Sequence, residues 1–405
     1  MTLLDPSIRG DFPALEQRLR GRPAVYLDSA CTTLRAEPVI QAMVELQRGP
    51  LGCHGRSAHS FGRATSLAYE GAREVVRGFL GAREAREIVF VRNTTEAINL
   101  VAWSFPWRPG DAVLTTDLEH NSNLLPWQRL ARQGRVVHRV LRVDPAAGLD
   151  LAALQRRLQG VRLLALPHVS NLFGIDFPLA EVVRLAHRAG AVVLVDGAQG
   201  VATHPVDVAA LGVDFYAFSF HKIFGPGGGG ALYGRAEQLE TLRPFLAGGG
   251  TVESATYDDA RFEPLPMRLE AGVGNYEAVA GGAAAIQYLQ KLGQRRLHRH
   301  VVELNRIATQ GLSRIDRVEI LGPADPEKRG SILSFHVRGM QAEGLARMLD
   351  HSAGIMVRHG KLCVHAWFDA QRAPDAIRAS FSAYTTPDEV QRFVRTVAGG
   401  VDMLG

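Results

Sequence analysis

A lysine that closes an apolar, aromatic run is the residue of this chain best placed for covalent chemistry. In Asp214–Pro226, DFYAFSFHKIFGP, a strand-like stretch ends at Ser219, and His221 and Lys222 follow directly. Desolvation disfavours an ammonium, so a lysine held in such surroundings titrates low and becomes a usable nucleophile toward an aldehyde. The competing reading is a lysine snorkelling from a strand end, which is the commoner fate of one lysine. The chain has only four lysines, Lys222, Lys291, Lys328 and Lys361, so arginine carries nearly all of its positive charge.

Upstream, Ala191–Gln199 reads AVVLVDGAQ, with Asp196 at the carboxyl end of an apolar run. Open α/β sheets bind ligands at such strand ends. A carboxylate there could pair with a pyridinium nitrogen and keep the ring an electron sink, and Gln199, one helical turn on, could hydrogen-bond a ring hydroxyl. A helix N-cap or a magnesium ligand would explain Asp196 equally well. Arg92–Phe105, RNTTEAINLVAWSF, is a strand end followed by a helix that opens on Thr94 and Thr95. Free N–H groups, the helix dipole and two hydroxyls suit a phosphate, although an N-cap role alone would also account for a threonine there. The run Gly227–Gly230 reads as a tight turn next to the ligand, because glycine-rich turns are common and unspecific.

These residues need a scaffold that aligns strand ends. Glu87–Arg92, Ala112–Thr116, Arg162–Pro167, Ala191–Asp196 and Asp214–Ser219 are short apolar runs of strand type, separated by helical patterns such as Thr95–Phe105, Asn123–Gln133 and Pro178–Ala189. That alternation predicts a mainly parallel sheet with helices on both faces. The pattern changes after about Gly274. Asn275–Gly311 reads as one long helical stretch leaving the sheet. Strands near Val318–Leu321 and Ile332–Val337, with helices at Gln341–Asp350 and Pro387–Val397, form a smaller α+β lobe.

Composition narrows the function classes. At 405 residues, 46% hydrophobic and 21% charged, the chain is expected to be soluble and globular, large enough for two domains and an enclosed site. A net charge of +5 is small for this length, and no block of roughly five or more Lys/Arg occurs, so no nucleic-acid partner is expected. Cys31, Cys53 and Cys363 are far apart, without metal or redox-dithiol spacing, which fits free thiols in a reducing cytosol and no metal. Met1–Gly10 lacks a hydrophobic signal core and no apolar run reaches ~18 residues, so neither secretion nor a membrane span is expected.

Nine segments together resemble a known family. YLDSACTT (Tyr26–Thr33), NTTEAINLVA (Asn93–Ala102), LEHNSNLLPW (Leu118–Trp127), HVSNLFG (His168–Gly174), VDGAQG (Val195–Gly200), FSFHKIFGP (Phe218–Pro226), RLEAGVGN (Arg268–Asn275), VRHGKLC (Val357–Cys363) and IRASFSAYTT (Ile377–Thr386) occur in family order along nearly the whole chain. The chain resembles a cysteine desulfurase of the class V aminotransferase branch of fold-type I pyridoxal-phosphate (PLP) enzymes. The resemblance implies an α/β fold with a large seven-stranded domain over residues 21–289. Residues 1–20 and 290–405 would form a small α+β domain carrying the cysteine loop.

By the same resemblance Lys222 forms the Schiff base, Asp196 pairs with the pyridine nitrogen and Gln199 meets the ring hydroxyl. His120 stacks on the ring and helps move protons. Thr94, Thr95, Ser219 and His221 hold the phosphate. Asn171 lies beside the substrate, and Arg358 and Arg378 serve substrate binding, Arg378 gripping the carboxylate with its planar fork. For Arg378 and His120 the plain alternatives are a surface charge and a core histidine.

Cys363 decides the reaction. It closes the Gly-containing segment HGKLC with Arg358, His359 and Lys361 nearby, cations that favour a thiolate, and it stands fifteen residues before Arg378, as in the short-loop, sulfur-mobilising desulfurases. The alternative is a buried cysteine acting as a small hydrophobe. Cys31 and Cys53 look incidental. The implied activity converts L-cysteine, or L-selenocysteine, to L-alanine with a persulfide on Cys363 for an acceptor protein. The implied assembly is a cytoplasmic homodimer, and iron–sulfur assembly is one of several destinations for the sulfur.

The chain departs from the family pattern at Lys361 and Leu362, where histidines are usual, and at Val273, where a threonine reaches the partner subunit's phosphate. Asn121 replaces a second histidine and Phe220 a glycine. Rivals are a cysteine or selenocysteine β-lyase, an aminotransferase or an epimerase of the same fold. A non-catalytic α/β ligand-binding protein is the rival of another class.

Overall fold

Alternation along the apolar runs decides how the chain folds. In a computed structural model the described residues run from 3 to 404; Met1 and Thr2, which begin the expected 1–20 segment, and Gly405 lie outside them. Seven strands form the central sheet: β1 (Ile88–Val91), β2 (Ala112–Thr116), β3 (Val137–Leu141), β4 (Val161–Pro167), β5 (Val192–Asp196), β6 (Phe215–Ser219) and β7 (Gly230–Gly234), in the order β1-β7-β6-β5-β4-β2-β3. Only β7 is antiparallel to its neighbours, β1 and β6. Successive side chains enter opposite layers. Leu163, Ala165, Leu194, Phe215 and Ala217 pack on one face with Ile98, Val101, Trp127 and Leu130 of the helices Thr94–Ser104 (α1) and Leu125–Arg132 (α2). Leu164, Leu166, Val193, Val195, Tyr216 and Phe218 pack on the other with Val182 and Ala186 of Leu179–Arg188 (α3). Both faces are thereby covered.

Two strands carried weak sequence signals. β3, VHRVL, is an edge strand with only Leu141 buried, so its pattern is mostly polar. β7 opens on Gly230, the end of the glycine run, and its antiparallel pairing lets it fill the slot between β1 and β6.

The expected single helix over Asn275–Gly311 is two, Tyr276–Leu292 (α4) and Gln294–Leu312 (α5). Gly293 between them takes φ +82°, a conformation open to glycine, and its N–H closes α4 on the Leu289 carbonyl. Beyond α5 lies an antiparallel sheet of Val318–Leu321 (β8), Ile332–Val337 (β9), Arg358–Gly360 (β10) and Ala376–Ser380 (β11), in the order β8-β9-β11-β10. In its last pair Arg358 stands opposite Arg378. The final helix, Pro387–Leu404, runs past the expected end at Val397. Among the described residues no helix is long and apolar enough to cross a membrane.

Phe220 is wholly buried, and glycines make room for its ring. A Cβ at Gly282 would fall inside the van der Waals shell of that ring, and one at Gly229 would come within 2.8 Å of it. The bulky residue after β6 is therefore matched by a small one on α4. Gly282→Ala is expected to destabilise by about 1–3 kcal/mol through overpacking, read as a lowered thermal midpoint.

Candidate active site

The strands β1, β2, β4, β5 and β6 run in the same direction, so their carboxyl ends open onto one side of the sheet. Chemistry-bearing residues follow each of these ends. Thr94 and Thr95 come after β1, His120 after β2 and Asn171 after β4; Asp196 ends β5; Ser219 ends β6, with His221 and Lys222 next. β10, β11 and the loop after β10 add Arg358, Arg378 and Cys363. All of them line one cavity of about 210 Å³. Every site residue expected from the sequence is in it.

Lys222 donates from Nζ to the Ala30 carbonyl oxygen at 2.6 Å, and Gln199 Nε2 donates to the same oxygen at 2.8 Å. Lys222 is half-buried by surface area because its amine opens into the cavity. Protein around it still desolvates the ammonium, and with Arg378 nearby its pKa falls to about 8. Asp196 is buried, and burial pushes its carboxyl above the usual range, against an N–H from Ala198 to Oδ1 at 3.0 Å and the charge of Lys222. That bond closes an Asx-type turn rather than a helix cap, and Gln199 sits in the turn, not on a helix. Among the described residues no group of three or more His, Cys, Asp or Glu could hold a metal ion.

At the N-terminus of α1 the capping residue is Asn93, whose side chain accepts from the Glu96 N–H. Thr94 is therefore free of that duty. Its N–H and hydroxyl both meet Ser219 Oγ, at 2.8 and 2.7 Å, while Thr95 Oγ1 meets Ser122 Oγ at 2.8 Å. His120 Nδ1 accepts from the Ser122 N–H at 3.1 Å, which leaves the proton of the neutral ring on Nε2. Burial and then Lys222 lower His120 to about 4, and the same causes lower His221 to about 4. Both rings are neutral near pH 7.

Arg378 is 4% exposed, so the surface-charge alternative fails. Its Nη1 donates to the Asn171 carbonyl at 3.0 Å and its Nη2 to Asp28 Oδ1 at 3.3 Å, while Nε has no partner among the described residues. A buried guanidinium donor without an acceptor marks the place of an anion. Arg358 is exposed at the cavity rim.

Cys363 sits on a pinned loop. Leu362 and Cys363 both take left-handed backbone, φ +50° and +60°. Asn171 Nδ2 donates to the Leu362 carbonyl at 2.8 Å and the Asn121 N–H to the Cys363 carbonyl at 2.7 Å. Cys363 is partly exposed rather than packed away. Of its cationic neighbours, Lys361 is engaged by Asp369.

Cys31, expected to be incidental, lines the same cavity. Gly228 and Gly229 line a different one, of about 440 Å³, along with Cys53 and Val273, while the Gly229 carbonyl accepts from the Phe220 N–H and Gly230 pairs with Ser219, so the glycine run lies between the two cavities. The loop carrying Val273 is anchored by Glu270, which pairs with the buried Arg73 at 2.6 Å and accepts from the Phe90 N–H at 2.7 Å. Sequence reasoning missed Ala30, Asp28 and Ser122, although the YLDSACTT and LEHNSNLLPW segments contain them.

The donor set fits PLP. A lysine and a carboxylate face one cavity, hydroxyls and N–H groups cluster at a helix N-terminus for a dianion, and an unpaired guanidinium nitrogen awaits a carboxylate.

Comparison with known proteins agrees with this architecture. The family described as aminotransferase class-V matches residues 25–393. A probable cysteine desulfurase of Vibrio cholerae is 37% identical over 98% of this chain and 98% of its own. Probable cysteine desulfurase 2 of Mycobacterium leprae is 40% identical over 100% and 99%. Among solved structures, apo cysteine desulfurase from Thermococcus onnurineus NA1 superposes with a TM-score of 0.94 at 34% identity, covering 100% of this chain and 99% of that one. The Escherichia coli cysteine desulfurase CsdA gives 0.89 at 32%, covering 99% and 100%. The fold is that of the fold-type I PLP enzymes, and the chain belongs to the class V aminotransferase family, among its cysteine desulfurases.

Proposed function

We propose that this chain is a PLP-dependent cysteine desulfurase that converts L-cysteine to L-alanine and leaves the sulfur as a persulfide on Cys363. The observation that carries the reading is the meeting of Lys222, Asp196, Arg378 and Cys363 in one cavity of about 210 Å³. Lys222, Asp196, Gln199 and His120 would surround the PLP ring, and Thr94, Thr95, Ser219 and His221 its phosphate. Bound there, PLP supplies an aldehyde that amines capture and a protonated ring that withdraws electrons from the substrate Cα.

The chain's own residues do the rest. Arg378 takes the substrate carboxylate on its free Nε, with Arg358 at the rim and Asn171 holding the loop beside it. Lys222 Nζ accepts the Cα proton, a task suited to an amine near pKa 8. Asp196 keeps a proton on the ring nitrogen. Cys363 Sγ attacks the substrate sulfur: the Sγ–S bond forms as the C–S bond breaks, and the electron pair left on carbon takes a proton to give the methyl group of alanine. The place of Cys363 fifteen residues before Arg378 supports the short-loop, sulfur-mobilising type, with an acceptor protein taking the sulfur. The 74% exposure of Val273 and the 47% exposure of Leu246, both on the open second cavity, support a homodimer with each site near the interface.

The test is the purified protein with PLP, L-cysteine and a thiol reductant. Equimolar alanine and sulfide are expected; pyruvate and ammonia instead would favour a β-eliminating lyase. A second measurement follows from Lys222. An amine with a lowered pKa is neutral above that value, so PLP capture by the apoprotein, trapped with borohydride, should rise with pH and level off near 8. Continued rise to the ordinary lysine range would show an unshifted amine.

A further inference from the structure

Two thiols, not one, face the cavity. Cys31 and Cys363 both line it, and both are partly exposed and free of disulfides. The segments that carry them are tied to one guanidinium. Arg378 Nη2 bonds Asp28, three residues before Cys31, and Arg378 Nη1 bonds the carbonyl of Asn171, whose amide pins Leu362, next to Cys363. Cys31 also follows Ala30, whose carbonyl receives Lys222 and Gln199, and its own N–H is tied back to the Asp28 carbonyl at 3.0 Å. The unpartnered, buried Nε of Arg378 marks the same space as the seat of an anionic ligand. Any substrate held there shares the cavity with both cysteines.

We infer that Cys31 is a second sulfur-handling residue, which takes the outer sulfur from the Cys363 persulfide when no external acceptor does. The inference rests on the proposed desulfurase reaction. The Cys31 thiolate attacks the terminal sulfur of Cys363–S–SH, a new S–S bond forms at Cys31, and the Cys363 thiolate leaves with the electron pair of the broken bond. The proton lost from the Cys31 thiol returns to Cys363. One persulfide is consumed and one is formed, so no oxidant or reductant enters, as in any thiol exchange. The persulfide also extends the reach of Cys363 by the length of one S–S bond, about 2 Å, across the cavity. The loop backbone is pinned at Leu362 and Cys363, so the Cys363 side chain is the part left free to swing.

The holoenzyme is mixed with about one equivalent of L-cysteine, without acceptor or reductant, then alkylated and digested for mass spectrometry. The expected result is one added sulfur on the Cys31 peptide as well as the Cys363 peptide, with the Cys31 share growing over time. Cys31→Ser should remove the first signal, and Cys363→Ser both. Sulfur confined to Cys363 throughout would overturn the inference, while alanine release left the desulfurase reading standing. Sulfur on Cys31 in the Cys363→Ser variant would overturn it too, since Cys31 would then react with substrate directly. A Cys31–Cys363 disulfide with release of sulfide would replace transfer by resolution and likewise overturn it. Absence of alanine would instead sink the desulfurase reading itself.

Discussion

Lys222→Ala is expected to abolish alanine formation from L-cysteine, with a fall in kcat of at least about 10²–10⁴ from loss of the proton transfer alone. Loss of covalent attachment adds to this, because no other lysine lines the cavity. The variant should nevertheless fold. The amine's partner, the Ala30 carbonyl, keeps the Gln199 donor at 2.8 Å, so no buried acceptor is orphaned. Removing a desolvated amine also relieves its repulsion with Arg378. A thermal midpoint near that of the parent chain and no pyridoxyl adduct on the protein after borohydride are the expected readings. A reduced adduct on another residue of the parent chain would end the assignment.

Cys363→Ser is expected to lower alanine formation on the order of 10²-fold or more, because a hydroxyl is a far weaker nucleophile than a thiolate toward sulfur. The backbone around it should hold, since the Asn121 N–H meets the Cys363 carbonyl and not its side chain. PLP should therefore still bind, with its absorption band shifting when L-cysteine is added. That combination separates the desulfurase from its rivals of the same fold. A lyase or aminotransferase has no use for a persulfide, so full turnover in this variant, measured as alanine, pyruvate or keto acid, would overturn the role of Cys363.

Other residues deserve a physical reading beside these two. The family departures at Lys361 and Leu362 place a charge on Asp369 and a buried aliphatic residue where imidazoles are usual, so the cavity near Cys363 lacks those proton-carrying rings. Asn121 Nδ2 reaches His365 Nδ1 at 3.0 Å, which places one imidazole at the loop from the far side.

Much of the site was legible because its residues announce themselves locally. Asp196 closes a strand with all five residues buried, and Lys222 follows another; both patterns are confined to a few consecutive residues, where strand periodicity and the family motifs operate. Helix punctuation was less clear. One glycine at φ +82° divided what read as a single helix, because periodicity on either side continues through Gly293. The edge strand Val137–Leu141 has little apolar signal because one of its sides has no neighbour to bury it.

The amino-acid order by itself determined the parallel α/β scaffold, the lysine and carboxylate at its strand ends, and the motif register that identifies the family, since each depends on short-range burial and spacing. Only the tertiary structure decided what surrounds them. It brought Ala30 and Cys31 from near the start of the chain to Lys222 and set Arg378 across from Asp28. These contacts join residues up to 350 positions apart, and no local pattern encodes them, because they arise when the two sheets and their crossing segments pack together.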